Sequence, residues 1–481
     1  MELGGRNDSP GARPPRRVRL SGCTLLATSA ACLALAAVGW SANATMVLLI
    51  FATISGFSGM HTLTAEADLT EPIWWINGAA FILFVAHPWA LIYTDSVGYA
   101  FYDRFDIAGT YTEALTLGWL FTLAANFGAV IGRRRKLGRA ANRAARTSKQ
   151  TSSFIWAAGI ASVVAFIVLP GTLTGEGASS GSAGAGRTAY VYLLPLMLIG
   201  SACTLIALGQ SASRVWLSRT GWAIGAVYSV ILLVSGQRSS LLLALLAPVV
   251  TSALMSRRRA PRITLLVGGC ALAAAFGLIR DANAPGETFW SSVSYGVREP
   301  GSIFVRTVTG NDTEMVDALA VELSIVPEVI PHRPLSTVTS TLGAPVPRLV
   351  WPDKPETVDV VLNGYLLGLG SNSAGPAYSL VGEAYFDSGW PGVGAAGLGL
   401  GYVFTRLWRH QKASSEWRTK VVYAVLLAGL PIIIRGVVAY SLAIFLAVLL
   451  PVVLGWVLLL LRGSPGLVDE GQNARAVVSL R

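Results

Sequence analysis

The sequence predicts an all-α polytopic membrane protein with about twelve transmembrane helices and one large extracytoplasmic loop before the tenth. Three observations carry this. Of 481 residues, 53% are hydrophobic and only 13% charged, where a soluble domain carries about 25% charged residues. The apolar residues fall in blocks of roughly 20, the length a helix needs to cross the hydrocarbon core. The basic residues collect between alternate blocks, as they do in loops that fix topology. The same figures exclude a fibrous or disordered chain. A net charge of +11 would point to nucleic acid in a soluble protein. Here basic loops account for it, and no nucleic-acid partner is expected.

Residues 1–19 read as a basic cytoplasmic tail carrying Arg13, Arg16, Arg17 and Arg19. Residues 20–279 hold the first nine spans, near Leu20–Trp40, Ala44–Met60, Ile73–Tyr93, Tyr111–Ile131, Phe154–Leu173, Thr188–Gly209, Gly221–Val234, Ser240–Met255 and Ile263–Ile279. The first has a basic start, an apolar run and then small residues, like a signal peptide. With many spans after it, it reads as an uncleaved anchor. Residues 280–379 form the long loop. The last three spans, near Leu380–Thr405, Val421–Ile434 and Val437–Leu461, fill residues 380–461, and residues 462–481 are a second cytoplasmic tail. The turns at Ala42, Gln237 and Gly436 are very short for separating two spans.

Counting every span puts the clusters at Arg133–Lys136, Arg214 and Arg219, Arg257–Arg259, and Arg406–Lys420 on one side, together with both termini. That side is expected to be the cytoplasm. The acidic loop with Glu66, Asp68 and Glu71 falls on the same side, against this trend. Cys23, Cys32, Cys203 and Cys270 all sit in apolar runs without a CxxC neighbour or a histidine at ligand spacing. They read as small core residues rather than disulfide or zinc ligands.

The loop is too long for a passive connection. It has a short helical pattern at Thr313–Leu323 and proline-rich turns from Pro327 to Pro355. Arg104, Arg187, Arg238, Arg280, Arg298, Arg306, Arg333, Arg348, Lys354 and Arg435 fall outside the cytoplasmic set. Two of them occupy sharp apolar turns, Val234-Ser-Gly-Gln-Arg-Ser-Ser240 and Ile434-Arg435-Gly436. One such arginine is explained by snorkelling or by an ion pair. The whole set suits a shared anionic ligand, and guanidinium forks bind diphosphate bidentately.

Glu383 and Asp387 lie i, i+4 on one helical face at the lip of the tenth span. A carboxylate there can take a proton from a sugar hydroxyl or pair with an outer arginine. Gly392-Val-Gly-Ala-Ala-Gly397 matches GxGxxG formally, but no strand precedes it. Its glycines, continuing to Gly401, read as a close-packing helix face. The sequence has no P-loop, HExxH or Gly-x-Ser-x-Gly elbow. His61 and His410 fall on the inner side. His87 reads as a buried, hydrogen-bonded histidine, and His332, beside Arg333, is the candidate acid or base.

Pro347-Arg-Leu-Val-Trp-Pro-Asp-Lys-Pro355 resembles the outer-loop signature Pro-Arg-x-x-Trp-Pro-x-Lys-Pro of the Wzy-type O-antigen and oligosaccharide repeat-unit polymerases. Gly375-Pro376 with Gly382-Glu-Ala-Tyr-Phe-Asp-Ser-Gly389 resembles the family's run into a late span. Ser235-Gly-Gln-Arg-Ser-Ser240 resembles its Gly-x-Arg turn between two middle helices. The resemblance implies a bacterial inner-membrane glycosyltransferase with its site on the outer face. It would move a glycan from undecaprenyl diphosphate to the terminal sugar hydroxyl of another lipid-linked repeat. The sugar–diphosphate bond supplies the energy, so no cofactor or metal is expected. Arg238 and Arg348 would lead in holding the diphosphate, with Arg298, Arg306, Arg435 and Lys354. Glu383 is the leading base, ahead of Asp353 and His332. The implied partners are the lipid-linked donor and acceptor, the bilayer and a chain-length regulator. Two rivals stay open: a ligase-like enzyme using the same donor, and a flippase or other transporter of lipid-linked glycan.

Overall fold

The computed structural model describes residues 16–64, 68–94, 105, 107–134, 148–174, 193–235, 237–256, 298, 308, 313–346, 350–367 and 378–461. Among these the regular structure is helical throughout: an all-α polytopic membrane protein. Ten helical stretches are long and apolar enough to cross a membrane. They match the expected spans one to eight, eleven and twelve. The expected ninth, Ile263–Ile279, lies outside the described residues.

The chain runs through α1 (Arg16–Ala36), α2 (Ala42–Thr64) and α3 (Pro72–Phe81), then a π turn at Ile82–Ala86 and α4 (His87–Thr94). The expected third span is therefore not a uniform α-helix. The His87 amide bonds back to Ile82 O, and Pro88 has no N–H to continue the regular ladder. α5 (Ala108–Arg134) and α6 (Ser148–Thr174) follow, then a short 3₁₀ turn into α7 (Met197–Ser211), then α8 (Val215–Val234) and α9 (Arg238–Ser256). Three short helices belong to the long loop: α10 (Met315–Ile325), α11 (Ser336–Gly343) and α12 (Val358–Leu367). The chain ends in α13 (Leu380–Ala413), α14 (Trp417–Ala428), α15 (Leu430–Arg435) and α16 (Val438–Leu461).

Two cores form. One gathers α2, α3, α5, α10 and α13, and the other α6, α7, α8, α9 and α16. α14 serves both because its sequence from Val421 on is apolar all round: Tyr423, Ala424 and Leu427 enter the first core, and Val421, Val425 and Ala428 the second. These sets recur at helical spacing on separate faces. Inside the first core, Asn77 and Asn126 exchange amide hydrogen bonds (3.2 and 2.9 Å), and Asn77 also donates to Ser58. Such a pair holds α2, α3 and α5 where lipid offers no alternative partner.

α13 is not among the ten apolar stretches, because it is rich in glycine and carries arginine near its end. It nevertheless runs the length of α5. Trp390 donates to Glu113 at one end, Gly397 faces Phe121 and Gly401 faces Ala125 midway, and Arg409 donates to Gly132 and Arg133 at the other. The two helices are therefore parallel, and α13 spans the depth that α5 spans. A Cβ on Gly128, Gly397 or Gly401 would run into the facing backbone, which bears out the close-packing reading of this stretch.

The expected tenth span is not continuous. Ser388 (φ −153°, ψ 19°) and Gly389 (φ 63°, ψ −148°) leave helical geometry, and Pro391 cannot supply the missing amide. The break separates the Leu380–Asp387 segment from the part packed on α5. That segment lies beyond the Trp390–Glu113 contact and belongs to none of the ten apolar stretches.

At the other end of α5 and α13, the acidic loop is clasped by cations. Glu71 is buried, accepts from Arg133, and has its other oxygen 2.5 Å from His61 Nε2. Asp68 meets Lys412 at 2.8 Å, and Thr70 receives hydrogen bonds from Trp408 and Tyr423. The acidic loop thus joins the basic ends of α5 and α13, which accounts for its place on the basic side. Cys32 and Cys203 are buried thiols, as expected. Cys23 is exposed on α1, and Cys270 lies outside the described residues.

Candidate functional site: a buried carboxylate cluster at the end of the bundle

α13 starts with the Ser379 hydroxyl accepting from the Gly382 amide, an N-cap in the usual sense. Glu383, in the first turn, is buried, and its Oε1 accepts the Val438 amide at 3.0 Å. That amide belongs to the first turn of α16, where helical N–H groups lack partners and favour negative charge. Three residues earlier, Arg435 ends α15 and donates NH1 to Ser239 Oγ at 3.3 Å. Ser239 follows Arg238, so the two arginine-bearing turns meet beside the start of α16. The side chain of Arg238 is outside the described residues.

Asp387 accepts the Thr337 amide at 3.0 Å and thereby caps α11. Leu335 makes this possible by turning the chain through the left-handed region (φ 64°) just before that helix. Burial raises the Asp387 carboxyl despite this bond. His332 sits in the same junction. Its Nδ1 lies 3.4 Å from Phe386 O, its ring meets Tyr385 edge-on at 5.4 Å, and the Arg333 amide bonds Phe386 O as well. The loop carrying His332 is thus docked along Phe386 and Asp387. The proline-rich turns expected here contain a helix, α11, whose cap comes from a residue about fifty positions away. Local sequence could not have shown it.

Glu322 is the residue that sequence reasoning missed. It lies in α10, ten of whose eleven residues are buried. Its side chain is fully buried, and among the described residues neither carboxylate oxygen has a hydrogen-bond partner. Oε2 lies 2.6 Å from where a Cβ on Gly382 would stand, so the carboxylate rests on the α13 backbone next to Glu383. Burial, then the charge of Glu383, pushes the Glu322 carboxyl well above the usual range. Burial does the same to Glu383 against the Val438 bond, with Asp359 and Asp387 adding to it. Asp359, at the start of α12, is likewise raised by burial. The available signal was two carboxylates, Asp317 and Glu322, inside the otherwise apolar run Met315–Ile325. Asp317 has a partner, His87 Nε2 at 3.2 Å, while Val308 O lies 2.7 Å from the other ring nitrogen. His87 is the buried, hydrogen-bonded histidine the sequence suggested.

Among the described residues, neither Asp353 nor Lys354 joins this cluster. Asp353 is exposed on the turn after Trp351. Lys354 donates to Val346 O at 3.2 Å, holding that turn to the end of α11. Arg298 is exposed, and Arg306 and Arg348 lie outside the described residues. Among the described residues no group of three or more His, Cys, Asp or Glu could hold a metal ion. A cleft of about 360 Å³ lined by His410, Arg418 and Trp456 opens at the opposite end of α13 and includes none of the expected site residues.

Compared with protein-family models, curated proteins and solved structures, the chain matches none.

Proposed function

We propose that this protein polymerises lipid-diphosphate-linked oligosaccharide repeats by glycosyl transfer on the outer face of a bacterial inner membrane, with both termini in the cytoplasm. The observation that carries the reading is the meeting of the Arg238 and Arg435 turns beside the α16 terminus that anchors Glu383. Cations and a carboxylate are what this transfer needs. The acceptor oxygen bonds to the anomeric carbon of the donor glycan as its proton passes to Glu383. The carbon–oxygen bond to the diphosphate breaks, and its electron pair leaves on the phosphate, where Arg435 and Arg238 balance the charge, with Arg348 and Arg306 from the loop. A carboxyl raised by burial is a stronger base than an exposed one, which suits Glu383 to the proton and leaves Asp387 as the cap of α11. The resemblance of Pro347–Pro355 to the polymerase signature supports the substrate class, with donor, acceptor and a chain-length regulator as partners.

The test is gel analysis of surface glycan in a deletion strain complemented with Arg435→Ala, Arg238→Ala, Arg348→Ala or Glu383→Gln. The expected outcome is loss of long chains, with carriers bearing a single repeat, while the protein stays in the membrane. Full-length chains from all four variants would refute the site. Buried carboxylates also occur in proton-driven transporters. A deletion strain that exposes no lipid-linked repeat on the outer leaflet would favour a flippase.

A further inference from the structure

Glu322 and Glu383 stand in an unusual position for membrane-protein carboxylates. Both are buried, they come from different helices, and among the described residues neither pairs with a cation. Glu383 has the Val438 amide, whereas Glu322 has no hydrogen-bond partner among the described residues for either oxygen. The absence of a side chain on Gly382 lets the Glu322 carboxylate press against α13 one residue from Glu383. Two buried carboxylates so placed cannot both be ionised without a counter-charge, and the first relief open to them is a proton.

We propose that Glu322 and Glu383 form a proton-binding pair, in which a proton kept at the contact of α10 with α13 prevents both carboxylates from being charged together and holds Glu383 at the start of α16. The titratable and charged groups around the pair fit this. Tyr378 and Tyr385 face Glu322 and are neutral donors; Tyr385 is pushed up to about 12 by burial and by Glu113 and Glu322, and gives its hydroxyl to Val326 O. Asp359 and Asp387 face Glu383 and add negative charge. His332 meets the Tyr385 ring, the Arg333 amide is spent on Phe386 O, and Arg435 bonds Ser239. Together with the proposed glycosyl transfer, on which this part rests, the pair makes Glu322 a positioning residue: it carries the resting proton, and Glu383 is left to accept the one from the acceptor hydroxyl.

The sign of the pH dependence follows. A carboxyl held above its ordinary value of 4.5 binds its proton more tightly in the folded protein than in the unfolded chain. The stability it contributes is fully present below that value and is lost as pH rises through the folded value. Full-length protein purified in detergent should therefore unfold at lower temperature at about pH 8 than at about pH 5. Glu322→Gln keeps the shape and removes the charge, so it should flatten that fall and unfold at higher temperature than the wild type at the alkaline end. Infrared difference spectra of the wild type should show a protonated carboxyl at neutral pH that Glu322→Gln or Glu383→Gln diminishes. An unchanged pH slope in Glu322→Gln, or no protonated carboxyl in the wild type, would overturn the pair. If the slope flattens while Glu383→Gln still restores full-length surface glycan, the proton site stands and the glycosyl-transfer reading fails.

Discussion

The two ends of the bundle treat their buried and half-buried carboxylates in opposite ways. At one end Glu71 meets Arg133 and His61, and Asp68 meets Lys412. At the other, Glu383, Asp387 and Asp359 are met by backbone amides or hydroxyls, and Glu322 by no hydrogen-bond partner among the described residues. The first arrangement ties α2, α3, α5 and α13 together and answers each charge locally. The second keeps acidic groups uncompensated where the loop helices dock, at a cost that packing elsewhere offsets. Uncompensated buried charge of this kind concentrates where a protein does chemistry or moves protons.

The comparison breaks most completely if its connecting rods are separated. Gly401→Leu places a side chain where the α5 backbone passes. The expected outcome is near-total loss of folded protein by size-exclusion chromatography. Next comes the opposite response of the two ends to one type of change. Glu71→Gln removes the negative partner of Arg133 and His61 and should cost about 3 kcal/mol, read as a fall in unfolding temperature. Glu322→Gln should raise that temperature at neutral pH. Gly389→Ala forces a left-handed φ of 63° on a residue with a Cβ and should cost about 1 kcal/mol, with the His332 junction loosened. The smallest effect is at Lys412, which is half-exposed. Lys412→Ala should cost less than about 1 kcal/mol, and less still in high salt.

The pH dependence of the two ends sharpens the contrast. Burial opposes ionisation of Asp68, but the bonds and charge of Lys412 and Thr70 outweigh it and hold the carboxyl below its ordinary 3.8. Its contribution is present above that value and lost as pH falls through the folded one. Lys412→Ala should flatten the acid limb of stability, and Glu322→Gln the alkaline limb.

Most of the span plan was legible in the sequence because lipid demands long apolar runs, and nothing local competes with that signal. The α13 glycines were legible for the same reason: small residues at helical spacing have few other uses in a membrane. The break at Ser388–Gly389 was not, because a Gly and a nearby Pro also occur in intact spans. The loop helix α11 escaped because its cap comes from a distant partner, Asp387. The site was half legible. Glu383, His332 and Arg435 do converge on one end, and Arg238 opens the helix beside Arg435. Asp353 and Lys354 belong to an outlying turn instead. Glu322 was passed over because two carboxylates in a short loop helix read as its solvated face until ten of its eleven residues prove to be buried.

The sidedness of the two ends tests the account most directly. In a background with Cys23, Cys32, Cys203 and Cys270 replaced, Glu356→Cys reports the unpaired end and Ser415→Cys the paired end; both positions are exposed. A membrane-impermeant thiol reagent on intact cells should label Glu356→Cys and reach Ser415→Cys only after permeabilisation. The reverse pattern would place the carboxylates and arginines in the cytoplasm and contradict glycan transfer on the outer face.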